Sequence, residues 1–149
     1  MTEPWAARPQ PVFQLMYRSR NRLAEEQRGD ELADLFARAR SNNQRRDITG
    51  ALLISDQWFV QLLEGDEALV RSLFDTITTD PRHEDVEVLF TQASVDRAFA
   101  HWSMARVAVP DVDLPLIAQV SEVAPGRHMT PAMGQLLEQM RRSVDEPRA

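Results

Sequence analysis

A glutamine stands in the middle of an apolar run at 59–65, FVQLLEG. Phe59, Val60, Leu62 and Leu63 read as a buried strand, so the Gln61 side chain must leave water with them. An amide buried without a partner costs about 1–3 kcal/mol in proteins, and this one carries a donor and an acceptor at opposite ends. Something therefore bonds to it, either ordinary protein or a bound ligand. Other polar or polarisable side chains are spaced so that they could meet it. Tyr17 shares the Phe13/Leu15 face of its strand, and Gln61 shares the Phe59/Leu63 face of its own. Asn42 and Asn43 precede an apolar strand, Asp80, Arg82 and His83 form DPRH, and Trp102 and Met104 alternate in WSM. Taken singly, each has an ordinary reading: a core tyrosine, helix-end asparagines, loop charges, core Trp and Met.

Composition removes many chemistries. The 149 residues carry a net charge of −6, which argues against a nucleic-acid partner. All 17 basic residues are Arg, so no phosphate-loop or Schiff-base lysine exists. With no Cys there is no disulfide, thiolate metal site or cysteine nucleophile. His83, His101 and His128 lie too far apart for a metal motif, and no metal is expected. No run approaches the roughly 18 apolar residues of a membrane span, and MTEPWAARPQP lacks a signal-peptide core. The expectation is a cytoplasmic protein.

The elements that must position these residues follow from periodicity. VFQLMYRS (12–19) alternates as a strand, and Asp30 opens a helix with Leu32, Leu35, Phe36 and Ala39 at helical spacing, closed by SNNQRRD. ITGALLIS (48–55) and WFVQLLE (58–64) are strands of a tight hairpin across Asp56-Gln57. A second helix follows Gly65-Asp66, with Leu69, Val70, Leu73, Phe74 and Ile77 inward, and Asp80-Pro81 stops it. VEVLF (86–90) and WSMARVAV (102–109) complete a βαββαββ order. That is an α+β ferredoxin-like sandwich, with two helices on one face of a five-stranded mixed sheet. Thr130-Pro131 reads as the start of a last helix with Met133, Leu136, Leu137 and Met140 as its stripe. Residues 1–11 are thus an N-terminal extension, 12–109 the domain, and 110–149 a helical tail that packs on the sheet, a partner or a second copy.

The ordered set of YRS (17–19), NN (42–43), ITG (48–50), QLLEG (61–65), DPRH (80–83) and WSM (102–104) resembles the BLUF domain, a blue-light sensor that uses FAD. The likeness spans roughly residues 12–109. It implies the ferredoxin-like fold reached above and a short, stand-alone photoreceptor rather than an enzyme. It also implies roles. Tyr17 would give an electron and a proton, and Gln61 would lie between Tyr17 and the flavin N5/C4=O edge. Asn43, with Asn42 beside it, would bond the pyrimidine end of the ring. Asp80, Arg82 and His83 would reach the ring or ribityl chain, and Trp102 and Met104 would mark the strand that answers the light signal. Turning the Gln61 amide would bring a new hydrogen bond to C4=O and red-shift the spectrum. No bond to the cofactor is made or broken, which suits a chain without Cys. The tail would carry the output to a downstream protein, and apolar stripes on the tail and free sheet face point to a homo-oligomer.

Overall fold

The structure is a computed structural model and describes residues 11–22, 28–55, 58–107 and 131–144. The described residues form eight elements in order: β1 (Val12–Asn21), α1 (Arg28–Arg46), β2 (Thr49–Ile54), β3 (Trp58–Gly65), α2 (Glu67–Thr78), β4 (His83–Ser94), β5 (Ala105–Val107) and α3 (Pro131–Arg142). The sheet order is β4-β1-β3-β2-β5. β2 and β5 run parallel and the other neighbours antiparallel, so the sheet is mixed, as expected.

Strict alternation along the central strands gives the sheet two buried faces. Leu15, Tyr17, Leu52, Phe59 and Leu63 point to one, where Phe36 of α1 and Val70 of α2 cover them. Met16, Ala51, Leu53, Val60 and Leu62 point to the other, covered by Met133, Leu136 and Met140 of α3. The tail helix therefore packs on the sheet of its own chain. Its expected cap Thr130 and the segment 108–130 lie outside the described residues, as does the Asp56-Gln57 turn.

Local chemistry sets the helix ends. Asp30 and Glu31 stand in the first turn of α1 and Arg45 and Arg46 in the last, each sign opposing the helix dipole. The helix begins two residues before Asp30 and runs past Asn42 and Asn43, which are helical rather than punctuation. It ends in a Schellman motif: Asp47 takes φ 54°, Ile48 N donates to Asn43 O at 2.9 Å and Asp47 N to Gln44 O at 3.4 Å. Asp66 caps α2 by accepting from Leu69 N at 3.2 Å. Gly50 is required by close approach, because a Cβ there would stand 2.0 Å from Leu62 O.

Two strands differ from the sequence expectation. β4 is longer and starts at His83. β5 starts later, at Ala105, and residues 102–104 precede it instead of forming its first part, while 108–109 lie outside the described residues. The cause is non-local: Trp102 O accepts from Gly50 N at 3.2 Å and Ser103 O from Asn43 Nδ2 at 2.8 Å. Those bonds turn the chain, so Trp102 and Met104 do not share a strand face. Met104 joins the core under α1 and α2, and Trp102 packs with the core under α3.

Candidate functional site

Between α1 and α2, above the middle of the sheet, lies a cavity of about 260 Å³. Its apolar walls come from Leu35 and Ala39 of α1, Leu73 and Ile77 of α2 and Leu52 of β2. Its polar lining is Asn42, Asn43, Gln61, Asp80, Arg82 and His83, together with Arg38 and Thr76. Apolar side chains from two helices and a strand, with a few polar groups among them, suit a largely apolar ligand that carries some polar atoms. All but three of the residues expected to serve the site from sequence therefore meet at one place. Tyr17 lies one layer behind the cavity, Met104 beside it, and Trp102 elsewhere.

The register of β1 and β3 places Tyr17 opposite Gln61. The Tyr17 hydroxyl, fully buried, donates to Gln61 Oε1. Gln61 Nε2 lies 3.4 Å from Met104 Sδ, and thioether sulfur is a weak acceptor. The amide is thus gripped firmly at its acceptor end and loosely at its donor end. Burial pushes the Tyr17 phenol well above its ordinary pKa, and the charge of Asp80 adds to this, so the group stays neutral.

Asn43 is fixed by Nδ2 on Ser103 O at 2.8 Å. Its Oδ1 is buried and has no hydrogen-bond partner among the described residues. An orphaned acceptor of this kind is costly unless a ligand N–H meets it. The isoalloxazine of a flavin answers both demands, offering apolar ring faces to the lining and an imide N–H at its pyrimidine end to the Asn43 oxygen. The residues present fit FAD: Asn43 and Gln61 would hold the ring's polar edge, and the α1 and α2 side chains its faces.

The rim is charged but internally matched. Arg82 Nε lies 3.0 and 3.1 Å from the two oxygens of Asp80. The Arg82 hydrogen bonds hold the Asp80 carboxyl below its ordinary pKa, and Arg82 is raised in turn. His83 Nδ1 is 2.8 Å from Ser19 Oγ, and its ring lies 4.7 Å from that of Phe59. Burial pulls its pKa down to about 4, so it is neutral near pH 7. Asn42 sits at the mouth, where its Oδ1 accepts from Arg45. Ser19 and Ser103 stand inside the motifs YRS and WSM, but no role is read for them from sequence; the Ser19 hydroxyl steers His83 and the Ser103 backbone carbonyl steers Asn43.

Comparison with known proteins agrees with this geometry. The family profile described as "BLUF: Sensors of blue-light using FAD" matches residues 12–105. Photoactivated adenylate cyclase subunit alpha of Euglena gracilis is 34% identical over 90 residues, 60% of this chain and 9% of that protein. The blue light- and temperature-regulated antirepressor BluF of Escherichia coli (strain K12) is 32% identical over 90 residues, 60% of this chain and 22% of that protein. The chain thus spans between 9% and 22% of these curated relatives. The dark-state structure of BlrB, a BLUF protein, superposes with TM-score 0.72 at 27% identity, covering 90% of this chain and 98% of BlrB. The BLUF domain of BlrP1 gives TM-score 0.61 at 32% identity over 86% and 88% of the two chains. The chain belongs to the BLUF family, the sensors of blue light using FAD.

Proposed function

We propose that this chain detects blue light through FAD held between α1 and α2, and that a turn of the Gln61 amide converts the absorbed photon into a protein signal. The observation that carries the reading is the chain of contacts Tyr17–Gln61–Met104 at the wall of a cavity containing an unpartnered Asn43 oxygen. Bound FAD supplies the blue absorption and, when excited, an acceptor for an electron and a proton. Tyr17 is suited to give both, because burial keeps its proton in place until then. While the phenol holds that proton, Gln61 Oε1 is the matched partner. Once the proton leaves, the tyrosine oxygen becomes an acceptor, and the Gln61 oxygen then faces another acceptor. Rotating or tautomerising the amide restores the match. The weak sulfur contact at Nε2 offers little resistance to that turn.

Met104 is the first residue to feel the change, and it leads directly into β5. β5 touches the chain just past α3 through the Val107–Val144 bridge. We read residues 12–109 as the light-sensing domain and 110–149 as the output element. The protein is read as a cytoplasmic sensor, not an enzyme, which acts by altering its association with another protein and forms a dimer or larger assembly. The Escherichia coli relative named an antirepressor supports output through protein contact. Among the described residues, no helix is long and apolar enough to cross a membrane.

The test is a visible spectrum before and after blue light. The expected result is a yellow protein whose absorption shifts reversibly to the red. A colourless protein would sink FAD binding, and a yellow one without the shift would leave binding and remove sensing.

A further inference from the structure

β3 touches the 97–104 segment from both sides of the sheet. On the cavity side Gln61 meets Met104. On the other side, three residues on, Glu64 is fully buried, and its carboxylate takes four hydrogen bonds. Oε1 accepts from Phe99 N at 2.7 Å and Thr49 Oγ1 at 2.9 Å. Oε2 accepts from Ala98 N at 2.8 Å and Gln14 Nε2 at 2.9 Å. The row extends to Gln92, whose Nε2 donates to Gln14 Oε1 at 2.8 Å, so polar side chains cross four strands of an apolar face.

A carboxylate in a core is costly unless its lone pairs are matched, and an apolar residue would serve the sheet as well or better. What an apolar side chain cannot do is grip two consecutive backbone amides. Those amides open the turn that Trp102 N closes on Phe99 O at 3.1 Å. From there the chain passes Asn43, bonded to Ser103 O, and Arg40, whose Nε donates to Met104 O at 3.2 Å. Glu64 thus fixes one end of the segment, while Gln61 on the same strand meets the other.

We propose that Glu64 is a positioning residue for the light switch: by anchoring Ala98 and Phe99 it sets how closely Met104 approaches Gln61. The proposal rests on the light-switch reading above, but part of its test does not need light. Glu64→Gln keeps the shape and turns one acceptor oxygen into a donor, which then faces a backbone N–H that cannot reorient. Glu64→Asp keeps the charge and shortens the reach by one methylene. Gln92→Leu is the control, cutting the row two strands away on β4 and leaving both loop amides on the carboxylate.

Three quantities are read: amide exchange at Ala98 and Phe99, the methyl signal of Met104 in methyl-labelled protein, and dark recovery after blue light. The first two are recorded in FAD-free and FAD-loaded protein. In Glu64→Gln, exchange at both amides is expected to rise at least tenfold relative to other residues of the core. The Met104 signal should move, and recovery should change at least threefold. Glu64→Asp should move the same signals by less, and it carries the test if the Gln variant does not fold. Gln92→Leu should match wild type in all three. A folded Glu64 variant with Met104 unmoved overturns the proposal, as does a Gln92→Leu that moves it equally. A wild type without a red shift would instead strike the light reading, while leaving the Met104 and exchange results to decide the anchor.

Discussion

The Tyr17–Gln61 hydrogen bond can be weighed by a double-mutant cycle, because its two ends differ in access to water. Tyr17 is fully buried and its hydroxyl has Gln61 as partner. Gln61→Leu therefore strands a buried O–H, a loss of about 1–3 kcal/mol. Tyr17→Phe instead strands Gln61 Oε1, and Gln61 borders the cavity, where water can replace the lost donor. Its loss should sit at the low end, about 0.5–1 kcal/mol. In the double variant no polar atom of the pair is left, and paired apolar replacement is close to neutral. The double variant should then be less destabilised than the sum of the singles, with a coupling of about 1.5–4 kcal/mol. The assay is urea unfolding of the FAD-free proteins, where cofactor affinity cannot enter. Loaded with FAD, all three variants should stay yellow and none should show the red shift. Additivity within about 0.3 kcal/mol, or a normal red shift in either single variant, would refute the reasoning.

Asn43→Ala removes the acceptor awaiting a ligand N–H, so FAD should bind about 5–150-fold more weakly, worth about 1–3 kcal/mol; fluorescence titration reads it. Protonation of His83 falls from its ordinary 6.5 to about 4 in the folded chain, so the unfolded chain binds the proton first. His83 therefore stabilises fully above pH 6.5, and that stability is lost as pH falls from 6.5 to 4, by roughly 3 kcal/mol in all. Urea midpoints should fall across that window in wild type and fall less in His83→Gln. Leu136 of α3 is fully buried against the sheet, so Leu136→Ala should cost about 2–5 kcal/mol in the same unfolding assay. Deleting α3 to isolate a sensing domain should for that reason expose a core face and give an unstable protein.

Much of the site could be read from strand parity alone. Tyr17 and Gln61 each alternate with the core residues of their own strands, and the pairing of β1 with β3 brings them together. The ends of α1 and the two strands nearest WSM were less legible. Asn42 and Asn43 look like helix terminators locally, yet a Schellman motif four residues later ends the helix. The start of β5 is decided by bonds to Gly50 and Asn43, which are distant in sequence (60 residues from Ser103 to Asn43), so no local alternation could reveal it. The side on which α3 docks was also hidden, because β3 is apolar at both parities. Glu64 reads as a strand end beside Gly65. Its role appears only when the register sets it between Gln14 and Thr49.

Energy limits what the lit state can do to α3. Turning one amide exchanges a hydrogen bond or two, about 1–3 kcal/mol, which multiplies an equilibrium constant by about 5–150. Met133, Leu136 and Met140 of α3 are all fully buried. At about 1.5–3 kcal/mol each their burial amounts to about 5–9 kcal/mol, so the detached fraction in the dark is on the order of 10⁻⁴ or less. Even the largest bias from Gln61 leaves the helix seated in almost every molecule. Release of α3 is therefore too costly to be the signal, and a change in how the 97–104 segment and a docked α3 sit against each other is not. The same ladder of bonds from Glu64 to Ala98 and Phe99 would keep such a displacement confined to the end nearest Met104.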